Sequence, residues 1–189
     1  MARSFNGSTD GVAASAANPI GYSAITFAAW FNVFSTNPGV AYNVFAYGST
    51  NAWGMGIQTD GTNTIKSQVN FRDNGGGLRG TTGSNVILPN VWYQCTAGYT
   101  LGVGGAAYLN GVADGTCDGA VTTFFSTTGG ISISNAASTG LSALIGRIAD
   151  VAIWNVQLTA AEALALSRGA RPYTIRPTTL KAYWPLGGI

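Results

Sequence analysis

The feature that most constrains this chain is the density of its turn signals. "TDGTN", "DNGGG", "LGVGG", "ADGTCDG" and "STTGG" interrupt the sequence at short intervals, and glycine makes up 27 of 189 residues. The segments left between them are too short for typical helices and read as strands. "ITFAAWFNV" is the clearest. Ile25, Phe27, Ala29, Phe31 and Val33 alternate with Thr26, Ala28, Trp30 and Asn32, so one face is uniformly apolar. "NVFAYGS", "AWGMGIQTD", "TIKSQVNFR", "VWYQCTAGYT", "GAAYLNG", "GISISNA" and "GRIADVAIWN" follow. Asn110-Gly111 is the strongest hairpin signal, because Asn-Gly accepts the positive φ of a type I′ turn. Many short strands joined by frequent turns predict an all-β sandwich or barrel. No repeat, heptad or linker divides the chain, so residues 1–189 read as a single domain.

One segment breaks the pattern. "LTAAEALALSRG" follows the last of these strands and is rich in strong helix formers. Thr159 and Glu162 have capping-box spacing: the Thr159 hydroxyl accepts from the Glu162 N–H, and the carboxylate reaches back to the Thr159 N–H. Gly169 stops the helix and Arg168 sits in its last turn. The spacing predicts one short helix near 160–168. Glu162 is the only glutamate in the chain, and this assigns it to a cap rather than to catalysis.

Composition narrows the chemistry. Charged residues are 8%, against roughly 25% in an ordinary soluble domain. Such a surface is weakly protected against association, which fits either contact with other chains or a domain hydrated by its Ser, Thr and Asn side chains. No apolar run reaches the roughly 18 residues of a membrane span. A net charge of +2 forms no basic stripe for nucleic acid. With no histidine, a Ser-His-Asp triad and a Cys/His metal cluster are both excluded. Cys95 and Cys117 are expected as free thiols, since pairing "WYQCTAGYT" with "AAYLNG" sets Cys95 near Asn110, away from Cys117. "MARSFNGSTDG" has no apolar h-region, so no secretory leader is expected.

Taken together, several segments resemble the concanavalin A-like, laminin-G-like jelly roll. They are Phe5, Asn6, Gly7 and Asp10; Trp92; Leu109-Asn110-Gly111; Gly146, Ile148, Asp150, Val151, Ile153, Trp154 and Asn155; and Leu158, Thr159 and Glu162. The resemblance implies an antiparallel two-sheet sandwich, with Trp30, Trp92, Trp154 and Trp184 in core or framework positions. The closing "RPYTIRPTTLKAYWPLGG" is similar to the tail of this domain in bacteriophage structural proteins, where "AYWPL" would return as a strand to the sheet that holds the N-terminal strand.

Hydrolytic relatives need two carboxylates flanking the scissile bond. No strand here carries two at i, i+2, and Asp114 and Asp118 read as residues of a solvated loop. No catalysis is expected. The resemblance implies a weak calcium option at Asp10 and Asp150, positions that are acidic in the family; otherwise no cofactor is expected. Glycan-binding candidates are Tyr42, Tyr47 and Trp53 as aromatic faces, with Asn74 and Arg79 as polar partners; a core position is the alternative for each aromatic, and a subunit contact is the alternative for the "RDNGGGLRG" loop. Two roles follow. The first is a non-catalytic bacteriophage virion protein, a capsid-decoration or fibre-associated subunit. It would act as an oligomer in the virion, on a capsid or other virion protein, and could also contact glycans. The alternative is a free carbohydrate-binding, lectin-like module.

Overall fold

The computed structural model describes residues 2–7, 10–14, 21–35, 42–47, 55–59, 65–73, 75, 77–124, 131–134 and 142–187. Its strands are β1 (Arg3–Asn6), β2 (Val12–Ala14), β3 (Ala24–Val33), β4 (Tyr42–Tyr47), β5 (Met55–Thr59), β6 (Lys66–Arg72), β7 (Leu78–Val86), β8 (Trp92–Thr100), β9 (Gly104–Leu109), β10 (Val112–Cys117), β11 (Ile131–Ile133), β12 (Ser142–Ala143), β13 (Ile145–Trp154) and β14 (Leu180–Trp184). Helix α1 (Ala160–Ser167) and a 3-10 turn (Pro172–Thr174) complete the described elements. No helix among the described residues is long and apolar enough to cross a membrane.

The strands form two seven-stranded sheets. One runs β1-β13-β3-β8-β9-β10, with β14 also paired to β13; the other runs β2-β11-β4-β5-β6-β7, with β12 on β4. Pairing is antiparallel throughout except between β12 and β4, which are parallel. β14 joins the sheet that holds β1, as expected: both pair with β13, β1 along Ile145–Ile148 and β14 along Val151–Trp154.

Alternation along β3 decides the packing. Its apolar set faces the second sheet, and all five members are essentially buried. Phe27 from the first sheet lies 5.2 Å from Phe45 and 6.0 Å from Phe71 of the second, and Phe71 lies 5.0 Å from Tyr99. Each such fully buried side chain contributes about 1.5–3 kcal/mol of transfer free energy. At Asn110 and Gly111 φ is 53° and 75°, as a type I′ turn requires. Cys95 faces Leu109 across β8 and β9, one residue from Asn110, and both cysteines are free thiols.

Asp114 departs from the sequence reading. It is not in a solvated loop: its side chain is buried at the bulge of β10, where a register shift separates Ala113 from Gly115. Its carboxylate accepts from Ser67 Oγ (2.6 Å), the N–H groups of Ser84 (2.9 Å) and Asn85 (3.1 Å), and Asn85 Nδ2 (2.7 Å). These bonds tie an edge strand of one sheet to the other. Asp118 keeps the expected exposed position.

The outer face of the first sheet carries the helix. The capping box forms as expected, with Thr159 N donating to Glu162 Oε2 (2.8 Å) and Glu162 N to Thr159 Oγ1 (3.3 Å). Leu158 and Leu166 then pack on Ala28, Ala152 and Trp154, the outward set of β3 and β13, in a second apolar cluster. The helix thus covers one end of this face and leaves the other end open.

Candidate cleft on the outer face of the first sheet

Cross-strand register predicts what the open end displays. Trp30 of β3 sits opposite Ala149 of β13 and Gln94 of β8; one step along, Asn32 sits opposite Arg147 and Trp92. Trp30 and Trp92 are therefore diagonal neighbours on one face, within reach of large side chains. Beside them the face is floored by the small Ala2 and Ala149. The result is an open cleft of about 370 Å³ lined by Ala2, Trp30, Trp92, Ala149, Asp150, Gly169 and Arg171. That volume suits a small ligand.

Its polar side is built by a bulge. Between Ala149 and Ala152, three steps on β13 face two on β3, so one extra residue is inserted. Asp150 occupies that insertion at φ 49°, where the edge partner of β13 changes from β1 to β14. A bulge re-aims a side chain, and aspartate tolerates the left-handed region better than most residues. Tyr183 OH donates to Asp150 Oδ1, and Arg171 Nη1 lies 3.2 Å from Oδ2. Burial and the adjacent Asp150 carboxylate push the Tyr183 phenol up to about 12, so it remains a donor at neutral pH.

Arg171 reaches the cleft because α1 stops where it does. Gly169, at φ 92°, ends the helix, and Arg171 starts the 3-10 turn. Thr174 donates to the Arg171 carbonyl through its N–H (2.9 Å) and its hydroxyl (2.7 Å). Just beyond the turn, Trp154 Nε1 donates to Ile175 O at 2.8 Å and pins the segment to the sheet. The guanidinium stays more than half exposed, whereas the Asp150 side chain is 19% exposed.

The residues expected from sequence fall elsewhere. Tyr42 is 2% exposed and sits in the core, so its ring offers no ligand face. β4 ends at Tyr47, whose side chain lies outside the described residues, as do Trp53 and Asn74. Arg79 is on β7, in the other sheet, paired with Asp118 at 3.5 Å. Conversely Trp30 and Trp92, read as framework, are half-buried cleft walls, while Trp154 is fully buried and Trp184 packs against the core. The calcium pair also separates. Asp10 accepts from the Asn6 N–H at 3.2 Å, and Asn6 pairs with Ile145. Asp150 lies five residues further along β13, roughly 17 Å of strand. Both Asp150 oxygens accept from neighbours, one of them the Arg171 guanidinium. Among the described residues no group of three His, Cys, Asp or Glu could hold a metal ion.

A model of the concanavalin A-like lectin/glucanases superfamily matches residues 6–163. The chain belongs to that superfamily. No curated protein matches it significantly. Among solved structures, a heptameric SAP-like pentraxin from Limulus polyphemus aligns over 98% of this chain and 91% of its own, with TM-score 0.69 and 15% identity. A candidate carbohydrate-binding protein from Bacteroides ovatus aligns over 97% of this chain and 53% of its own, with TM-score 0.70 and 18% identity. Domain 4 of an extracellular arabinanase from Geobacillus stearothermophilus, in complex with arabinotriose, aligns over 88% and 76%, with TM-score 0.62 and 15% identity. At these identities the likeness concerns the fold.

Within this concanavalin A-like domain the cleft offers aromatic faces beside one carboxylate and one guanidinium. Indole faces accept the apolar C–H face of a sugar ring, while Asp150 and Arg171 accept from and donate to hydroxyl groups. Hydrolysis of a glycoside needs a second carboxylate across the bond. Among the described residues Asp150 is the one carboxylate lining the cleft, and it is already engaged by Arg171 and Tyr183.

Proposed function

We propose that this domain is a non-catalytic saccharide-binding module that works through the Trp30–Trp92 cleft. The observation that carries the reading is the pairing of two half-buried indoles with a carboxylate set on a bulge at positive φ. A fold under no functional demand would place glycine or a regular strand at residue 150, because backbone strain of this kind costs about 1–3 kcal/mol. Saccharide titration followed by tryptophan fluorescence tests it. Wild type should bind saturably, and Trp30→Ala and Trp92→Ala should each remove most of the affinity. Binding undiminished in both variants would refute the assignment.

A second reading, an assembled subunit on a viral shell, rests on the surface. Leu78, Val86, Leu88 and Val91 are exposed along and just after β7, and Val112 is exposed beside the β9–β10 turn. Only Arg79 is charged between residues 78 and 91. Exposed aliphatic side chains in a stretch this poor in charge suit an interface core. One structural relative is itself a heptamer. In this setting the domain sits in the virion as an oligomer, bound to a capsid or other virion protein, and presents the cleft outward. Sedimentation velocity should show self-association; a monomer at high concentration would contradict the oligomer.

A further inference from the structure

We infer that the cleft selects an anionic saccharide, one bearing sulfate or carboxylate groups; this rests on the saccharide-binding reading above. The charges of the chain are unevenly placed. Residues 147–181 contain Arg147, Arg168, Arg171, Arg176 and Lys181 against Asp150 and Glu162, a balance of +3. The other four cations and five carboxylates of the chain give −1. That basic segment is the one that builds the polar side of the cleft and the helix beside it.

Local pairing sharpens the asymmetry. Arg176 is bound to Glu162 at 2.5 Å, near the start of α1, and is neutralised there. Asp150, the one carboxylate lining the cleft among the described residues, is matched by Arg171. Two exposed cations remain at its margin. Arg168 caps α1 immediately before Gly169, a lining residue. Arg147 lies two residues before Ala149, another lining residue, on the same face of β13 and about 7 Å away. Its guanidinium rests 5.1 Å from the centre of the Phe34 ring, and among the described residues neither Arg147 nor Arg168 forms an ion pair. A neutral sugar leaves both cations unused. An anionic one stacked on Trp30 or Trp92 brings its substituents towards the guanidinium donors of Arg168 and Arg171 on one side and Arg147 on the other.

The test compares dextran sulfate, polygalacturonate and unmodified dextran on the intact protein. Dextran sulfate should bind, dextran should not, and added salt should weaken the interaction. Polygalacturonate binding would extend the site to carboxylates; its failure would confine it to sulfate. Arg168→Ala and Arg147→Ala should each weaken binding about fivefold, and Trp30→Ala should do so at least as much. Arg79→Ala removes the same charge on the other sheet and should change affinity less than about twofold, the behaviour of a rim charge distant from the ligand. Equal loss with Arg79→Ala would reveal only general attraction and overturn the inference. Trp30-dependent binding of dextran without binding of either anionic probe would also overturn it, while leaving the saccharide-binding reading intact. No Trp30-dependent binding of any probe would remove both.

Discussion

Asp150 lets the demands of the fold be separated from those of the site. Its φ of 49° lies where a β-branched side chain clashes with the backbone, where asparagine and aspartate are tolerated and where glycine is unstrained. Three substitutions should therefore rank in a defined order. Asp150→Asn keeps an acceptor for the Tyr183 hydroxyl and keeps the tolerated backbone, so stability should fall by less than about 1 kcal/mol. Asp150→Gly relieves about 1–2 kcal/mol of strain, but about 0.5–1 kcal/mol of that is offset by backbone entropy. It also loses the Tyr183 bond, about 1–2 kcal/mol in a partly buried setting. The Arg171 pair adds little, because that guanidinium is 57% exposed. The net loss should be about 1 kcal/mol and no more than about 2 kcal/mol. Asp150→Val loses the same bond and adds strain, for about 3 kcal/mol or more. Urea denaturation measures each value, and saccharide titration of the same samples measures affinity. In the nearly isostable asparagine variant affinity for dextran sulfate should rise a few-fold, because the Asp150 carboxylate no longer repels the anion and no longer occupies the Arg171 guanidinium. If the glycine variant proves more stable than wild type and all three bind normally, the carboxylate has no part in holding the bulge or in setting the affinity.

Asp114→Ala should cost about 3 kcal/mol, because it strands the buried Ser67 hydroxyl and the N–H groups of Ser84 and Asn85; a loss below about 1 kcal/mol in urea would contradict the cross-sheet role. Thr159→Ala or Glu162→Ala should cost about 0.5–2 kcal/mol and leave saccharide affinity unchanged. Partial burial pushes the Glu162 carboxyl up, but the Arg176 guanidinium and the Thr159 N–H and hydroxyl outweigh it and hold its pKa below the usual 4.5. The cap contribution is therefore complete above about pH 4.5 and disappears as pH falls through the lowered value, so wild type and Glu162→Ala should converge in acid; a constant difference down to pH 2 would refute this. Thiol titration should count two per chain when unfolded, and in the native state Cys95 should stay unreactive, since burial first and the Asp114 charge second push its thiol far up.

Local chemistry was readable wherever it depended on neighbours in the chain. The alternation of Ile25 to Val33, the Asn110-Gly111 turn and the Thr159–Glu162 box each involve a few adjacent residues, and each forms as expected. The cleft was not readable in that way. Trp30 and Trp92 stand 62 positions apart and meet only through the β3–β8 register. Alternation did set Trp30 on the face opposite the core, which was the available signal. Framework status then hid the fact that α1 covers only one end of that face. Asp150 showed the opposite failing: its acidity was noticed, but nothing in "RIADVAIW" marks an inserted residue, because a bulge is defined by the partner strand. Tyr42 takes the core alternative to its glycan role, and that choice depends on the opposing sheet rather than on its neighbours in the chain. Asp114 misled because "ADGTCDG" has turn composition, yet the structure uses it as the end of an edge strand.

The most direct test of the central claim follows the indole N–H resonances of the protein by NMR during titration with dextran sulfate, or with any saccharide found to bind. Trp30 and Trp92 should shift saturably and with one common affinity. Trp154, fully buried and bonded to the Ile175 carbonyl, should stay fixed. Saturable binding that leaves both cleft indoles unmoved and instead shifts amides of β5 and β6 would place the site on the other sheet and contradict the account.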